Sequence, residues 1–220
     1  PMARVHYLFL ELLYGDQPAG WNIVGRKEVI KTLAREDFVN YRQKHYLAGK
    51  TVVAIAGNIN EEEVIAMVKN TFADIPVAAV VKKSKPEERQ GEPELLVKHK
   101  ESDQTHLVLG VRGYDVFDKR RFVLEVMAYI LGVGMSSRLF QKIREEMGAA
   151  YYVGAGTEFF SDHGYFSARA GVPRERLAEV VRAIIAEFKQ LREVPISPDE
   201  LRRVKDNFIG SLMLSLETSD

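Results

Sequence analysis

Two residues stand out for the chemistry they could do together. They are Arg144 and Tyr151, in the stretch GVGMSSRLFQKIREEMGAAYYVGAG that covers residues 132–156. The polar–apolar pattern of SSRLFQKIREEM predicts a helix, and Gly148 is placed to stop it, because glycine takes a left-handed backbone conformation at little cost. Residues 149–153, AAYYV, then read as the start of a strand. Arg144 is therefore expected in the last helical turn and Tyr151 at the beginning of the strand, on two sides of one glycine turn. A guanidinium and a phenol held in that way can aim at the same small volume. There they could donate hydrogen bonds to a substrate carbonyl or to the oxyanion it becomes. The structural alternative is that Arg144 pairs with a nearby glutamate and Tyr151 packs in the core; spacing alone leaves both open.

Several elements would have to position this turn. Residues 118–131 carry Phe122, Val123, Val126, Met127, Ile130 and Leu131 at core spacing and predict a helix ahead of it. Residues 151–157 and 164–172, joined by Ser161-Asp162-His163-Gly164, predict a hairpin behind it. A long amphipathic helix follows over 174–191, with Leu177, Val180, Val181, Ile184, Ile185, Phe188 and Leu191 facing in. Ile196-Ser197-Pro198-Asp199-Glu200 starts another, with a serine cap and proline in the first turn, and no stop signal precedes Asp220. Upstream, 94–100 and 105–112 read as strands, the second with His106, Val108 and Gly110 on one face and Leu107, Leu109 and Val111 on the other. His99 and His106 could meet across such a pair, but no acidic residue is clearly placed to complete a metal site.

In the first third, residues 3–14 predict a largely apolar, buried helix. His6 and Glu11 in it are five residues apart, a poor fit to one helix face, and are read as structural. Residues 15–25 form a turn-rich loop in which Trp21 is expected as a packing anchor. Residues 35–46 predict a helix with Phe38, Tyr41 and His45 along one face. Residues 50–57, KTVVAIAG, predict a central strand. Asn60 should cap a helix with Val64, Ile65, Val68 and Phe72 as its buried stripe. Residues 82–93 are polar and proline-bearing and read as a linker. The expected organisation is thus a first domain over 1–81, the linker over 82–93 and a second domain over 94–220.

Composition bounds the function. Apolar content of 46% supports a real core, and Lys+Arg and Asp+Glu balance at 31 each, which gives no global pull toward nucleic acid or a membrane surface. There is no cysteine, hence no disulfide framework and no thiolate nucleophile or ligand. No apolar run approaches bilayer length, so a soluble protein of cytoplasm or periplasm is expected, with the compartment otherwise unknown.

The order Met135-Ser136-Ser137-Arg138-Leu139-Phe140, Ile143-Arg144-Glu145-Glu146, Gly148-Ala149-Ala150-Tyr151 resembles a signature of the M16 zinc metallopeptidases, the family of insulinase and the mitochondrial processing peptidase. Gly25-Arg26-Lys27-Glu28-Val29-Ile30 and His45-Tyr46 are similar to pieces of the same family's first half-domain. The resemblance implies an α+β fold of mostly antiparallel sheets with helices packed on one face, in two related half-domains, both incomplete here. It implies that Arg144 and Tyr151 are the substrate-binding Arg/Tyr pair of the second, non-zinc half-domain. Tyr152 stands where the family more often has a small residue, so either tyrosine of the doublet could face the site.

The family's metal motif, H-x-x-E-H, is absent, and so is H-E-x-x-H; the five histidines are isolated. The resemblance places Pro1 just downstream of the third zinc ligand and makes the chain a central piece of a longer protein. It implies that the parent hydrolyses peptides with zinc in a chamber between half-domains, and that this chain supplies the Arg/Tyr half with no catalytic or metal residues and no activity of its own. The alternative within the family is a non-catalytic or structural subunit that needs a zinc-bearing chain. The implied partners are a peptide or protein substrate and another M16-type chain, in a homo- or hetero-oligomer.

Overall fold

The computed structural model describes residues 2–79, 83–87 and 89–217. The chain divides into two compact units, one of residues 1–22 with 85–220 and one of residues 23–84. Val80 to Lys82 and Glu88, which include part of the predicted linker, lie outside the described residues, as do Pro1 and residues 218–220.

The larger unit is α+β. Helix α1 (Met2–Tyr14) is followed, after a loop, by strand β1 (Thr105–Arg112), helix α5 (Arg121–Gly132), a π-helical segment (Phe140–Glu146), strands β2 (Tyr152–Phe159) and β3 (Gly164–Val172), and helices α6 (Leu177–Glu193) and α7 (Pro198–Ser215). The smaller unit holds α2 (Lys27–Thr32), α3 (Arg35–His45) and α4 (Glu61–Thr71).

The sheet is antiparallel in the order β1-β3-β2, so the hairpin's second strand is central. Strand alternation sends Phe166, Ala168, Ala170 and Val172 of β3 to one face, where they form a buried cluster with Ala128 and Leu131 of α5, Leu139, Ile143, Ala149, and Val180 and Ile184 of α6. Leu107 and Leu109 pack against the same cluster, on the face the sequence assigned them. The small alanines of β3 let larger side chains from the helices approach the strand closely. On the other face α1 covers one end of the sheet: Phe9, Leu13 and Tyr14 bury themselves with Tyr165 in a second cluster. His6 of α1 is structural as expected, its Nε2 2.9 Å from the Tyr165 hydroxyl.

Several expectations are corrected. Residues 94–100 are exposed and belong to no strand, so His99 does not face His106. Residues 50–57 likewise join no ladder; Thr51 is extended, yet Val52 and Val53 lie in solvent. An apolar run becomes a strand only when another segment runs alongside to take its N–H and C=O groups, and no described segment does so here. The stripe of α4 is not a buried one: Val64 and Val68 are half-buried, Ile65 and Phe72 exposed, although Asn60 caps the helix through the Glu62 and Glu63 amides. In α5, Ile130 and Leu131 are buried but Phe122 and Val123 are exposed, with Arg121 stacked over the Phe122 ring at 4.2 Å. Trp21 is exposed and donates to Asp16 Oδ1 at 2.8 Å rather than anchoring a core. Helix α7 starts at the predicted Ser197 cap and ends at Ser215, where the Leu216 amide tightens onto the Leu212 and Met213 carbonyls.

Helix α5 ends in backbone contact with β2. A Cβ on Gly132 would lie 1.8 Å from the Ala155 nitrogen and 2.5 Å from the Gly154 carbonyl carbon. Backbone cannot move aside as a flexible side chain can. Gly132→Ala is therefore expected to cost at least about 2–3 kcal/mol, the upper range for overpacking, read as a lowered midpoint in chemical denaturation.

Candidate functional site

Arg144 lies on the π-helical segment rather than on a regular α-helix. The Met147 amide reaches back five residues to the Lys142 carbonyl at 3.1 Å, and the Ala149 amide six residues to Ile143 at 2.9 Å. Such widened turns are rare and often occur at functional positions. Sequence pattern gave no sign of this one, because the polar–apolar spacing of an α-helix and of a short π segment differ by less than one residue. Gly148 closes the turn with φ +55, the left-handed conformation the sequence assigned it. Ile143 and Ala149, both fully buried, pin the two ends of the turn to the core. Arg176, at the N-cap of α6, donates to the Met147 carbonyl at 3.2 Å while its guanidinium is held by Glu179. The Tyr151 amide then bonds the Gly171 carbonyl at 2.8 Å, which joins the turn to the central strand.

Against that fixed backbone both candidate side chains are open. Arg144 is exposed, and its guanidinium lies 5.7 Å from the Phe140 ring centroid; among the described residues it has no hydrogen bond or carboxylate partner. Tyr151 is 53% exposed and makes no side-chain hydrogen bond among them either. The structural alternative, an Arg–Glu pair and a core tyrosine, is not what these two residues do. The second tyrosine of the doublet is otherwise occupied. Tyr152 is half-buried on the opposite face of the strand, its hydroxyl 2.9 Å from His106 Nδ1 and the rings stacked at 5.9 Å. Burial pushes the Tyr152 phenol up and holds the His106 imidazole below its ordinary value.

Arg138 of the same motif is structural. It forms a bidentate pair with Glu200 at the start of α7, at 2.7 and 2.6 Å, which lowers the Glu200 carboxyl and raises the guanidinium. This ties α7 to the turn and was not anticipated, because the partners are far apart in sequence.

No three histidine, aspartate or glutamate side chains among the described residues come close enough to hold a metal ion. Four histidines have ring partners: His6 with Tyr165, His106 with Tyr152, His163 with Asp162 at 2.8 Å, and His45 against the Tyr41 ring at 4.4 Å. His99 is exposed and isolated from them. Among the described residues, then, no histidine stands with the further ligands a zinc centre needs.

Comparison with known proteins places the chain. A family model described as "Peptidase M16 inactive domain" matches residues 32–208. The chain belongs to the peptidase M16 family. Within that family it is 32% identical over 218 residues to an uncharacterized zinc protease of Mycobacterium leprae, and 32% identical over 216 residues to another, YmxG, of Bacillus subtilis. These alignments cover 97% and 98% of this chain but 48% and 52% of the relatives, so the chain spans about half the length of the curated M16 relatives it matches. The fold is that of a solved peptidase M16 inactive domain from Pseudomonas fluorescens, with TM-score 0.83 at 23% identity over 97% of this chain and 52% of that one. A chain of complex III from Candida albicans shares the fold equally well, with TM-score 0.84 at 19% identity over all of this chain and 54% of that one. No helix among the described residues is long and apolar enough to cross a membrane.

The glycine that closes the turn gives one prediction. A Cβ on Gly148 would meet nothing within 4 Å, so Gly148→Ala carries only the left-handed backbone penalty, about 1–2 kcal/mol, and Gly148→Asn should recover part of it in the same denaturation measurement. His106 gives a pH dependence. Burial lowers its folded-state pKa below the ordinary 6.5, so as pH falls the unfolded chain takes the proton first and stability is lost below about pH 6.5. His106→Gln should flatten the stability profile between pH 7 and pH 5.

Proposed function

We propose that this chain is the substrate-binding, non-zinc portion of an M16 zinc metallopeptidase. In this reading Arg144 and Tyr151 donate hydrogen bonds to the backbone of a peptide held in a chamber between half-domains. The observation that supports it is the pair itself: two strong donors with no hydrogen-bond partner among the described residues, on a backbone fixed by Gly148, Arg176 and the Gly171 carbonyl. Donors already in place stabilise a developing oxyanion without reorganising, which is where such groups contribute most to rate. Zinc and the water-activating carboxylate would come from sequence outside these residues, in the same parent chain or in a partner M16 chain. Alone, the 220-residue chain would hydrolyse nothing.

The likeness to the complex III chain, which rests on fold alone, favours a second reading in which the parent is a structural or non-catalytic subunit that partners a zinc-bearing chain. Zinc content of the full-length protein separates the two.

The experiment is hydrolysis of a quenched-fluorescent peptide by the full-length protein. Activity should vanish with a chelator and return with zinc. Arg144→Ala and Tyr151→Phe should each lower kcat/KM about 10- to 1000-fold, the range for losing a transition-state donor, with the melting temperature unchanged because both side chains are exposed. Full activity in Arg144→Ala, or chelator-sensitive hydrolysis by the 220-residue chain alone, would overturn the reading.

A further inference from the structure

Arg138, Lys142, Arg144 and Arg176 all stand on or beside the π-helical segment. Three of them are claimed by carboxylates. Arg138 is held by Glu200, Lys142 pairs with Glu146 at 2.8 Å, and Arg176 is held by Glu179. The Lys142 pair bears on Arg144 directly, because Glu146 lies two residues along the same segment and is already taken. Arg144 has a different kind of neighbour. Its guanidinium carbon lies over the ring of Phe140, four residues earlier, at 5.7 Å from the centroid. Among the described residues Arg144 makes this ring contact and neither a hydrogen bond nor a carboxylate pair.

The two side chains are rooted alike. Phe140 follows Leu139 and Arg144 follows Ile143, and both leucine and isoleucine are fully buried. The core therefore sets the origins of the ring and of the guanidinium, and Phe140 is itself half-buried. What the core leaves undetermined is the long arginine chain. An exposed arginine spreads over many rotamers, and a bound peptide must freeze it into one. The face of an aromatic ring attracts a cation through its quadrupole. Unlike a carboxylate, it takes up none of the five N–H donors and leaves the charge in place. A ring at this position can thus orient the guanidinium while keeping its hydrogen-bonding edge available for a carbonyl.

We propose that Phe140 is a positioning residue for Arg144, holding the guanidinium by a cation–π contact so that its N–H groups are presented to a peptide carbonyl. The proposal rests on the reading of Arg144 as a peptide-binding donor given above. It supplies a cause for the readiness of an arginine that no acidic side chain holds. A donor oriented beforehand costs less to bring to the bound geometry, and it serves best where charge develops on the carbonyl. The arginine side of the contact is exposed, which sets the size of the effect. A cation–π contact at an exposed site corresponds to about 2- to 5-fold in a binding or rate constant.

The test uses full-length protein and two readouts. One is equilibrium binding of a fluorescent neutral peptide in chelator, so that nothing is cleaved; the other is kcat/KM for a quenched-fluorescent peptide with zinc present. Replacing Phe140 with mono-, di- and trifluorophenylalanine weakens the negative face of the ring while nearly preserving its shape. Binding and kcat/KM should fall stepwise, by about 2- to 5-fold at the end of the series, with the melting temperature level. Phe140→Leu should match the end of the series, and Phe140→Tyr, which keeps an electron-rich ring, should stay near wild type. In an Arg144→Ala background the same series should be flat, because the ring then has no cation to hold. No trend across the fluorinated rings, or the same trend without Arg144, would overturn the proposal. If Arg144→Ala weakens binding or turnover while fluorination changes nothing, this proposal alone fails. If Arg144→Ala leaves both readouts at wild-type values, or the wild-type protein neither binds nor cleaves the peptide, the peptide-binding reading fails and this proposal with it.

Discussion

The larger unit depends on close packing against one strand. On its helix side β3 carries Ala168, Ala170 and Val172, all fully buried, with Phe166 beside them. Small side chains in the centre of a sheet bring helices near enough for Leu139, Ile143, Val180 and Ile184 to fill the space between, and a filled space is what makes a core resist change. The contact of Gly132 with β2 is the same constraint at its limit, backbone against backbone. Because Ile143 and Ala149 belong to that core, the turn between them inherits its rigidity. Exposed side chains such as Arg144 and Tyr151 can thus be held at fixed origins without being buried themselves.

The two faces of the sheet divide the work. One face is apolar and spent on stability. The other is only partly covered by α1 and keeps polar groups in ordered pairs, Tyr152 with His106 and Tyr165 with His6. Buried phenols and imidazoles that satisfy each other avoid the cost of stranded polar atoms. They also stand on either side of the exposed Arg169. The division between an apolar face and a polar face follows from the period of two in a β-strand.

A good part of the fold was legible in the sequence, and the part that was not has a common cause. The hairpin, α5, α6, the Ser197 and Asn60 caps and the glycine stop at 148 are local signals, set by turn chemistry and periodicity within a few residues. Residues 50–57 and 94–100 carry equally good strand patterns and are not strands, because a strand is a relation between segments and no described segment pairs with them. The candidate pair was legible from motif and spacing. The π-helical geometry beneath Arg144, the support from Arg176 and the Arg138–Glu200 clamp were not, since each joins residues whose neighbourhood only the folded chain creates.

Sequence by itself determined the M16 resemblance, the α+β class, the left-handed glycine at 148 and the placement of Arg144 and Tyr151 on two sides of it. Tertiary structure decided which tyrosine of the doublet stays free. Successive strand residues face opposite sides, and the hydrogen bond to His106, forty-six positions away, claims Tyr152 and leaves Tyr151 in solvent. It also decided that Arg169 has no counter-ion among the described residues, because the register, not the sequence, sets Val108 and Gly154 beside it.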